Sequence, residues 1–158
     1  MANIEYLETL HDTEVLLERL CQPVRNWFKD KFPDFTDPQK LAIPAIMAGE
    51  HLLLCSPTGS GKTLTAFLTI IDKLVRLSLA GELEEKVHCI YISPIKALAN
   101  DIQRNLIGPL TEIEDKFLPD RAQKIRVGLR TGDTPQSERQ KMLRKPPHIL
   151  ITTPESMA

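Results

Sequence analysis

Cysteine is scarce in this sequence. The chain has 158 residues and three cysteines, which lie far apart, form no CxxC pair and occupy positions Cys21, Cys55 and Cys89. An odd number of scattered cysteines argues against a disulfide framework and against a zinc site. The pattern is typical of a protein of the reducing cytoplasm, and we expect a cytoplasmic location.

Long uncharged apolar runs are absent from the sequence as well. The most apolar stretch, 64–79, is interrupted by Asp72, Lys73 and Arg76, which excludes it as a membrane span. The first residues include Glu5 and Glu8, whereas a signal peptide begins with basic residues and an apolar segment. We therefore expect neither export nor a membrane partner.

The chain has almost no net charge, but its charges are unevenly distributed. The formal net charge is −1, which by itself gives no reason to expect a nucleic-acid partner. Segment 121–145 is nevertheless strongly basic, with Asp133 and Glu138 as its acidic residues after Arg121. Such a segment is either a solvated surface or a contact for a phosphate backbone, and charge alone favours the solvated surface.

The apolar segments alternate between strand-like and helix-like patterns. Short apolar runs predict four buried strands at 51–55, 87–92, 125–129 and 148–152. Amphipathic stretches between them predict a helix ending near Leu79, another from Ile95 to about Glu114, and a third that Thr134 and Pro135 open. The alternation predicts an α/β domain with a mostly parallel sheet and helices on both faces.

The first 50 residues are predicted to form short helices. Asp12 is suited to cap one helix, Pro23 suits the first turn of a second, and the Asp37-Pro38 pair starts a third. Val15, Leu16 and Leu20 share one face of the first helix. That face either packs on the core of this domain, which we favour, or docks on another domain.

A glycine-rich loop lies between the first predicted strand and the long helix. It runs from Ser56 to Thr63 and comprises, after Pro57, the residues Thr58, Gly59, Ser60, Gly61, Lys62 and Thr63. In that context such a loop wraps its backbone amides around phosphate groups, and the following helix adds its positive N-terminal end. The pattern predicts binding of a nucleoside triphosphate, and we expect that nucleotide to be ATP.

Lys62 and Thr63 are the residues of this loop that take part in phosphate chemistry. Lys62 would reach the β- and γ-phosphates, and the Thr63 hydroxyl would ligate Mg²⁺. Ser56 stands where the strict motif has glycine, so the match is imperfect. The alternative interpretation is a glycine-rich turn before a helix with an incidental lysine.

Two residues before the loop are candidates for recognising the base. The amide of Gln39 is able to pair with N6 and N7 of adenine, and the ring of Phe32 is able to stack on it. A surface glutamine and a core phenylalanine explain the same residues without a ligand.

Five ordered segments resemble the motifs of superfamily two helicases. Phe32 with 36–39 resembles the Q motif, 56–63 motif I and 93–101 motif Ia, while 131–134 and 152–156 resemble the later conserved blocks of the first motor domain. Segment 128–157 is similar to the large-helicase-related (Lhr) branch of the DEAD/DExH-box proteins. The resemblance covers about Pro23 to the end of the chain.

The resemblance implies a RecA-like fold and a set of contacts to one nucleic-acid strand. Similar proteins touch the sugar-phosphate backbone through motif Ia and the two later blocks, which here comprise Ser93, Pro94, Lys96, Thr131, Gly132, Thr153 and Pro154. Hydroxyls, backbone amides and helix starts hold phosphate without reading bases. Single-stranded DNA or RNA is therefore the expected partner, and the branch favours DNA or a DNA–RNA hybrid.

The acidic DExH or DEAD motif of these helicases does not occur in this sequence. Glu155 is not a substitute, because Thr-Thr-Pro separates it from the preceding apolar run. We expect 1–37 to be a helical extension that carries Phe32, and 38–158 to be an incomplete first RecA-like motor domain. The acidic motif and the second RecA-like domain are expected beyond Ala158, so this chain alone should bind ATP and not hydrolyse it.

Three other functions are compatible with a phosphate loop. A small-molecule kinase would need an acceptor pocket and an arginine-bearing lid, for which the basic segment 121–145 could be mistaken. A non-catalytic nucleotide-binding module would regulate a partner. A double-strand translocase or nuclease-associated motor would use the same scaffold as a helicase.

Overall fold

The computed structural model describes residues 4–94 and 100–157, in which a small parallel sheet is surrounded by helices. The strands are β1 (Cys89–Ile92), β2 (Val127–Arg130) and β3 (Ile149–Thr152). Their order is β1-β3-β2, and both pairs are parallel. Parallel neighbours require crossover connections, and helical segments lie in both crossovers. The predicted α/β class and parallel sheet are confirmed.

Among the described residues, one group of α-helices precedes β1 in the sequence and a second group follows it. The first group is α1 (Thr13–Arg19), α2 (Gln22–Lys31), α3 (Asp37–Met47) and α4 (Lys62–Ala80). The second group is α5 (Gly108–Phe117), α6 (Gln136–Arg144) and α7 (Pro154–Met157). Proline stands in the first turn of α2, α3 and α5, where its missing amide costs no helical hydrogen bond.

A π-helical segment at Gln103–Ile107 interrupts the helix predicted from Ile95 to Glu114. The amide of Gly108 donates to the carbonyl of Gln103, five residues earlier. Pro109 explains this wider turn, because its ring would clash with the carbonyl four residues before it in a regular α-helix. The sequence prediction of one continuous helix is therefore corrected; residues 95–99 lie outside the described residues.

The strand predicted at 51–55 was wrong. In the part of the chain that the structure describes, these residues pair with no strand, and the side chain of Leu53 is 86% exposed. An apolar run shows that a segment is suited to burial, but a strand forms only where a neighbouring strand satisfies its amides and carbonyls. None of the described strands takes that place.

Helix α4 lies at the centre of the molecule. It begins after Gly61 and ends at Gly81, whose φ of 71° is the left-handed conformation that terminates helices. The ring of Phe67 on α4 packs 4.7 Å from that of Tyr91 on one face of the sheet. Across the described ranges, none of the helices is long and apolar enough to cross a membrane.

The other face of the sheet is covered at β2. A Cβ atom on Gly128 would lie 2.8 Å from Pro147 and 3.3 Å from Met142 of α6, so these side chains pack directly on the strand. Helices therefore lie on both faces, as predicted. Towards β1 the same face is more open, and Ile90 and Ile92 are about half exposed.

One hydrophobic core joins the N-terminal helices to α4. Leu16 of α1 and Leu20, which caps the end of that helix, are buried in the same cluster as Leu68 and Ile71 of α4. Val15, assigned to the same face, is 42% exposed. The apolar residues of α1 thus pack on the core of this domain, which is the packing that the sequence favoured.

Candidate nucleotide site and nucleic-acid edge

The loop at 56–61 has the backbone conformation of a phosphate-binding loop at two of its glycines. Gly59 and Gly61 have φ values of 83° and 85°, which residues with a side chain rarely adopt. Gly61 is also the N-cap of α4, a helix of 19 residues. The loop therefore presents its backbone at the positive end of a long helix, where an anion is stabilised.

Lys62 extends over this loop. Its ammonium group donates hydrogen bonds to the carbonyls of Ser56 and of Pro57, the latter at 3.0 Å. The hydroxyls of Ser56 and Ser60 bond to each other across the loop. Ser56, which departs from the strict motif, is thus accommodated by a side-chain hydrogen bond, and the cation of Lys62 remains beside the loop backbone.

The start of α3 is attached to the loop from one side. The Thr36 hydroxyl donates to the Ser60 carbonyl (2.9 Å), and Gln39 Oε1 accepts the Thr36 amide (2.9 Å). Gln39 is 3% exposed, and its Nε2 lies 3.5 Å from the Gly61 carbonyl. A Cβ on Gly61 would lie 2.7 Å from that nitrogen, so a side chain at this position would displace the Gln39 amide in addition to straining φ.

Phe32 lies at the end of α2 in a cluster of aromatic rings. Its ring centroid is 5.0 Å from that of Phe28 and 5.8 Å from that of Trp27, and Phe28 stacks on Phe35 at 4.0 Å. Phe28 is buried, whereas 37% of Phe32 is exposed. The cluster fixes the ring of Phe32 and leaves one side of it accessible.

The loop borders a cavity of about 920 Å³, which is within the size range of small-molecule and cofactor sites. The predicted residues that line it are Phe32, Gln39, Thr58, Gly59, Gly61, Lys62 and Thr63. Ser60 is not among the lining residues, because its side chain and carbonyl bond to Ser56 and Thr36. The structure thus brings together the predicted phosphate and base residues, which are separated by up to 31 positions in the sequence.

The far wall of the cavity consists of residues that sequence reasoning missed. They come from the π-helical segment and the helical residues beside it, and comprise Asp101, Gln103, Arg104, Asn105, Gly108, Pro109 and Glu112. Glu112 accepts a hydrogen bond from Trp27 Nε1 (2.8 Å) and pairs with Lys31 (2.9 Å). The bonds from Lys31 and Trp27 lower the pKa of Glu112 below its ordinary value. No local pattern marks these residues, because their position depends on how α5 packs against α2.

The described residues among those predicted to contact nucleic acid lie at one edge of the sheet. Parallel strands place their carboxyl ends together, so Ser93, Thr131 and Thr153 follow β1, β2 and β3 on the same side. The Ser93 amide donates to the Thr152 carbonyl (3.1 Å), and the Thr152 hydroxyl donates to the Arg130 carbonyl (2.7 Å). These two bonds connect the three strand ends.

The edge residues differ in their exposure. Pro94, Gly132 and Pro154 are exposed, while Ser93 and Thr131 are partly buried. Thr153 is 1% exposed, and its hydroxyl donates to Ser156 Oγ (3.2 Å) within the first turn of α7. Lys96 lies outside the described residues.

The basic segment 121–145 is partly neutralised within the protein. Arg126 pairs with Glu85, and Lys141 pairs with Glu138. Arg139 donates to backbone carbonyls of the turn that follows β2. The segment includes β2 and α6, which belong to the sheet and its cover rather than to a kinase-like lid.

Comparison with known proteins agrees with these observations. The profile of the DEAD/DEAH box helicase family matches residues 36–158. The ATP-dependent helicase Lhr-Core of Methanocaldococcus jannaschii is 51% identical over 160 aligned residues, which cover 100% of this chain and 19% of that protein. The chain therefore spans about a fifth of the length of this curated relative.

Two solved helicase structures have a fold similar to that of this chain. The structure of Mycobacterium smegmatis helicase Lhr bound to ssDNA and AMP-PNP superposes with a TM-score of 0.76 at 44% identity, covering 90% of this chain and 18% of that one. Helicase MrfA bound to DNA and AMPPNP superposes with a TM-score of 0.68 at 27% identity, covering 87% of this chain and 17% of that one. The fold is therefore RecA-like, as the sequence motifs implied.

Proposed function

Because this chain belongs to the DEAD/DEAH box helicase family, we propose that it is the ATP-binding part of an ATP-dependent helicase or translocase that acts on nucleic acid. The observation that carries the proposal is the cavity in which Phe32, Gln39 and Lys62 converge. A phosphate loop alone serves many reactions. A phosphate loop joined to an adenine-reading glutamine and an exposed aromatic ring is the combination that the helicase motifs require.

The predicted residues of the loop and of the base site have proposed roles toward ATP. The backbone of Thr58, Gly59, Ser60 and Gly61 holds the phosphates, and Lys62 moves from the loop carbonyls to the β- and γ-phosphates. The Gln39 amide reads the adenine edge while Phe32 stacks on the ring. Gln39 Oε1 already accepts the Thr36 amide, which fixes the orientation of the group before ATP binds.

The Thr63 hydroxyl is the proposed protein ligand of Mg²⁺. It lines the cavity beside Lys62, and no group of three His, Cys, Asp or Glu side chains in the described ranges offers a separate metal site. A Mg²⁺ ion keeps several waters and phosphate oxygens as ligands, so one hydroxyl suits it. When bound, the ion would neutralise developing charge between the β- and γ-phosphates.

One strand of nucleic acid is the proposed partner of the sheet edge. Ser93, Pro94, Thr131, Gly132 and Pro154 offer hydroxyls, exposed backbone and helix starts, with Lys96 and Thr153 as the remaining proposed contacts. Such groups hold phosphates rather than bases. We favour DNA over RNA because the Lhr and MrfA structures that resemble this chain hold DNA.

The proposed mechanism is the closing of a cleft. Residues 38–158 form the first RecA-like motor domain and 1–37 a helical extension that contributes Phe32. ATP bound between this domain and a second RecA-like domain of a longer chain would draw the two together, and hydrolysis would release them. The grip on the strand would then alternate, and the protein would move along it. A small-molecule kinase has no comparable use for the sheet edge.

A titration of labelled ATP and GTP by fluorescence anisotropy tests the nucleotide site. We expect ATP to bind and GTP to bind far more weakly, because the Gln39 amide matches the adenine edge. Lys62→Ala should weaken ATP binding by about tenfold or more, which corresponds to ~1.4 kcal/mol. Equal binding of ATP and GTP would remove the adenine site from the proposal and favour a generic phosphate loop.

The control for Gln39 separates base recognition from its structural role. Gln39→Glu keeps the oxygen that accepts the Thr36 amide but removes the donor needed for N7 of adenine. We expect the melting temperature of Gln39→Glu to be closer to that of the wild type than the melting temperature of Gln39→Ala is. Both variants should lose the preference for ATP over GTP. Retained preference in both variants would show that Gln39 does not read the base.

ATP hydrolysis by this chain alone is expected to be negligible. The sequence contains no DExH or DEAD motif, and phosphoryl transfer needs a residue that positions water and a cation that stabilises the transition state. The measurement is phosphate release with and without single-stranded DNA, with Lys62→Ala as the control for contaminating ATPase. Turnover by the wild type that Lys62→Ala abolishes would contradict the expectation.

A further inference from the structure

The turn between β2 and α6 is closed by its own hydrogen bonds. The amide of Thr131 donates to Thr134 Oγ1 (2.8 Å), and the amide of Thr134 donates to the Thr131 carbonyl (3.2 Å). The turn contains Gly132, one of the residues proposed to contact nucleic acid. These bonds fix its two ends, but they do not determine the direction of the peptide groups between them.

Arg139 supplies that constraint from the first turns of α6. Its Nη2 donates to the carbonyls of Gly132 (2.9 Å) and Thr131 (3.3 Å), and its Nε donates to the carbonyl of Thr134 (2.9 Å). One planar guanidinium therefore holds three carbonyls of the same turn. Lysine lacks this fixed fork of donors and would not hold them together.

The bonds to Arg139 determine where two amides point. In a trans peptide the N–H lies opposite the preceding C=O. Because the carbonyls of Thr131 and Gly132 face Arg139, the amides of Gly132 and Asp133 face away from it. Within the described residues neither amide has a hydrogen-bond acceptor. Successive amides that point to one side form a concave anion site.

The space in front of Gly132 is open. A Cβ atom added there would meet nothing within 4 Å, and the φ of Gly132 is not in the left-handed region. A ligand is therefore able to approach the backbone closely at this position. Charge-assisted bonds to the carbonyls also polarise the peptide groups, which makes their amides stronger donors.

We propose that Arg139 is a positioning residue that aims the amides of Gly132 and Asp133 at one phosphate of the bound strand without touching that phosphate itself. The inference rests on the proposed function of the sheet edge. It adds a residue in α6 whose effect on nucleic acid passes entirely through the backbone of the turn.

The test compares the binding of a fluorescein-labelled oligothymidylate to the wild type, Arg139→Gln and Lys141→Gln. Both variants remove one positive charge from α6, but Lys141 pairs with Glu138 and does not reach the turn. We expect Arg139→Gln to weaken binding by about tenfold, and Lys141→Gln to change it little. Arg139→Lys should not restore the lost affinity, because it restores the charge without the fork.

The dependence of binding on salt distinguishes positioning from direct contact. A side chain that neutralises one phosphate of a single strand contributes about 0.7 to the slope of log K against log salt. Arg139→Gln is expected to keep the slope of the wild type, and a decrease of about 0.7 would overturn the proposal in favour of a direct contact. ATP affinity, measured in parallel, is expected to remain that of the wild type, whereas the melting temperature should decrease because the three hydrogen bonds of Arg139 to the turn are lost.

Gly132→Ala is the second variant, since it fits the turn without strain and blocks the open space. It should lower oligothymidylate affinity by about tenfold while the melting temperature is unchanged. If the wild type binds and neither Arg139→Gln nor Gly132→Ala weakens binding, the positioning role is refuted and the proposed function survives. If the wild type does not bind the oligonucleotide, the nucleic-acid part of the proposed function fails with it.

Discussion

The three cysteines have different chemical environments. Burial, and after it the charge of Asp72, raises the pKa of the Cys21 thiol to about 12. Asp72 is 3% exposed and accepts the Cys21 amide at 2.6 Å, so the same carboxylate also holds the start of α2. Burial likewise raises the pKa of Cys89, whereas Cys55 is exposed. Thiolates, not thiols, react with disulfide reagents.

The native protein is therefore expected to have one thiol that reacts rapidly with an aromatic disulfide reagent. Cys55→Ser should remove the rapid phase and leave the slow reaction of the two shielded cysteines. The measurement is the absorbance of the released thiolate, and all three thiols should react together in denaturant. A rapid phase that persists in Cys55→Ser would show that Cys21 or Cys89 is accessible.

At the scale of elements, His148 connects the residues that immediately precede the three strands. Its carbonyl accepts the His88 amide (2.8 Å), its amide donates to the Arg126 carbonyl (2.9 Å), and its Nδ1 accepts the Arg126 amide (2.9 Å). The side chain is fully buried. Burial lowers the pKa of His148, and the charge of Arg126 lowers it further. A protonated ring would lose the acceptor at Nδ1.

Acid is expected to destabilise the sheet through this residue. The unfolded chain takes up a proton near the ordinary pKa of about 6.5, at higher pH than the folded chain does. The contribution of His148 to stability is thus complete above about pH 6.5 and falls as the pH decreases toward the lowered folded pKa. Urea midpoints measured from about pH 7.5 to about pH 5 report it.

The control for this prediction is His148→Asn, whose side-chain oxygen replaces Nδ1 as the acceptor and does not titrate. The loss of stability just below pH 6.5 should be smaller in the variant than in the wild type. Parallel curves for the two proteins would assign the acid sensitivity to other groups, such as the carboxylates paired with Lys or Arg.

At the scale of the whole molecule, the extension 1–37 shares its core with the proposed motor domain. Leu16 and Val24 are fully buried in one cluster with Phe67 and Leu68. Trp27, the only tryptophan of the chain, bonds from α2 to Glu112 of α5. Two parts that share one core are expected to unfold as a single cooperative unit.

Urea unfolding followed by Trp27 fluorescence and by circular dichroism should therefore give coincident transitions. Leu16→Ala should lower the free energy of unfolding by about 2 to 5 kcal/mol and shift both midpoints equally. Val15→Ala, on the exposed side of the same helix, is the matched control and should have little effect. Two separate transitions would show that the extension is an independent unit.

The sequence by itself determined the features that depend on near neighbours in the chain. The glycines, Lys62 and the following helix predict a phosphate loop, and the positive φ of Gly59 and Gly61 and the helix N-terminus on which that prediction depends are local properties. The alternation of apolar runs with amphipathic helices likewise determined the α/β class and the positions of β1, β2 and β3 to within two residues. The resemblance of five ordered motifs added the family.

Only the tertiary structure decided the features that depend on contacts between distant segments. The run at 51–55 lacks a partner strand among the described residues, and no local property of Leu53 reveals that. Glu112 reaches Trp27 across 85 positions, and Gln39 reaches Gly61 across 22. The guanidinium of Arg139 donates to the carbonyls of the turn after β2, and this contact forms only when α6 folds back against that turn. The apolar pattern of a sequence specifies which residues are buried and where a helix begins. It does not specify the groups against which those residues pack, because many partners satisfy the same pattern.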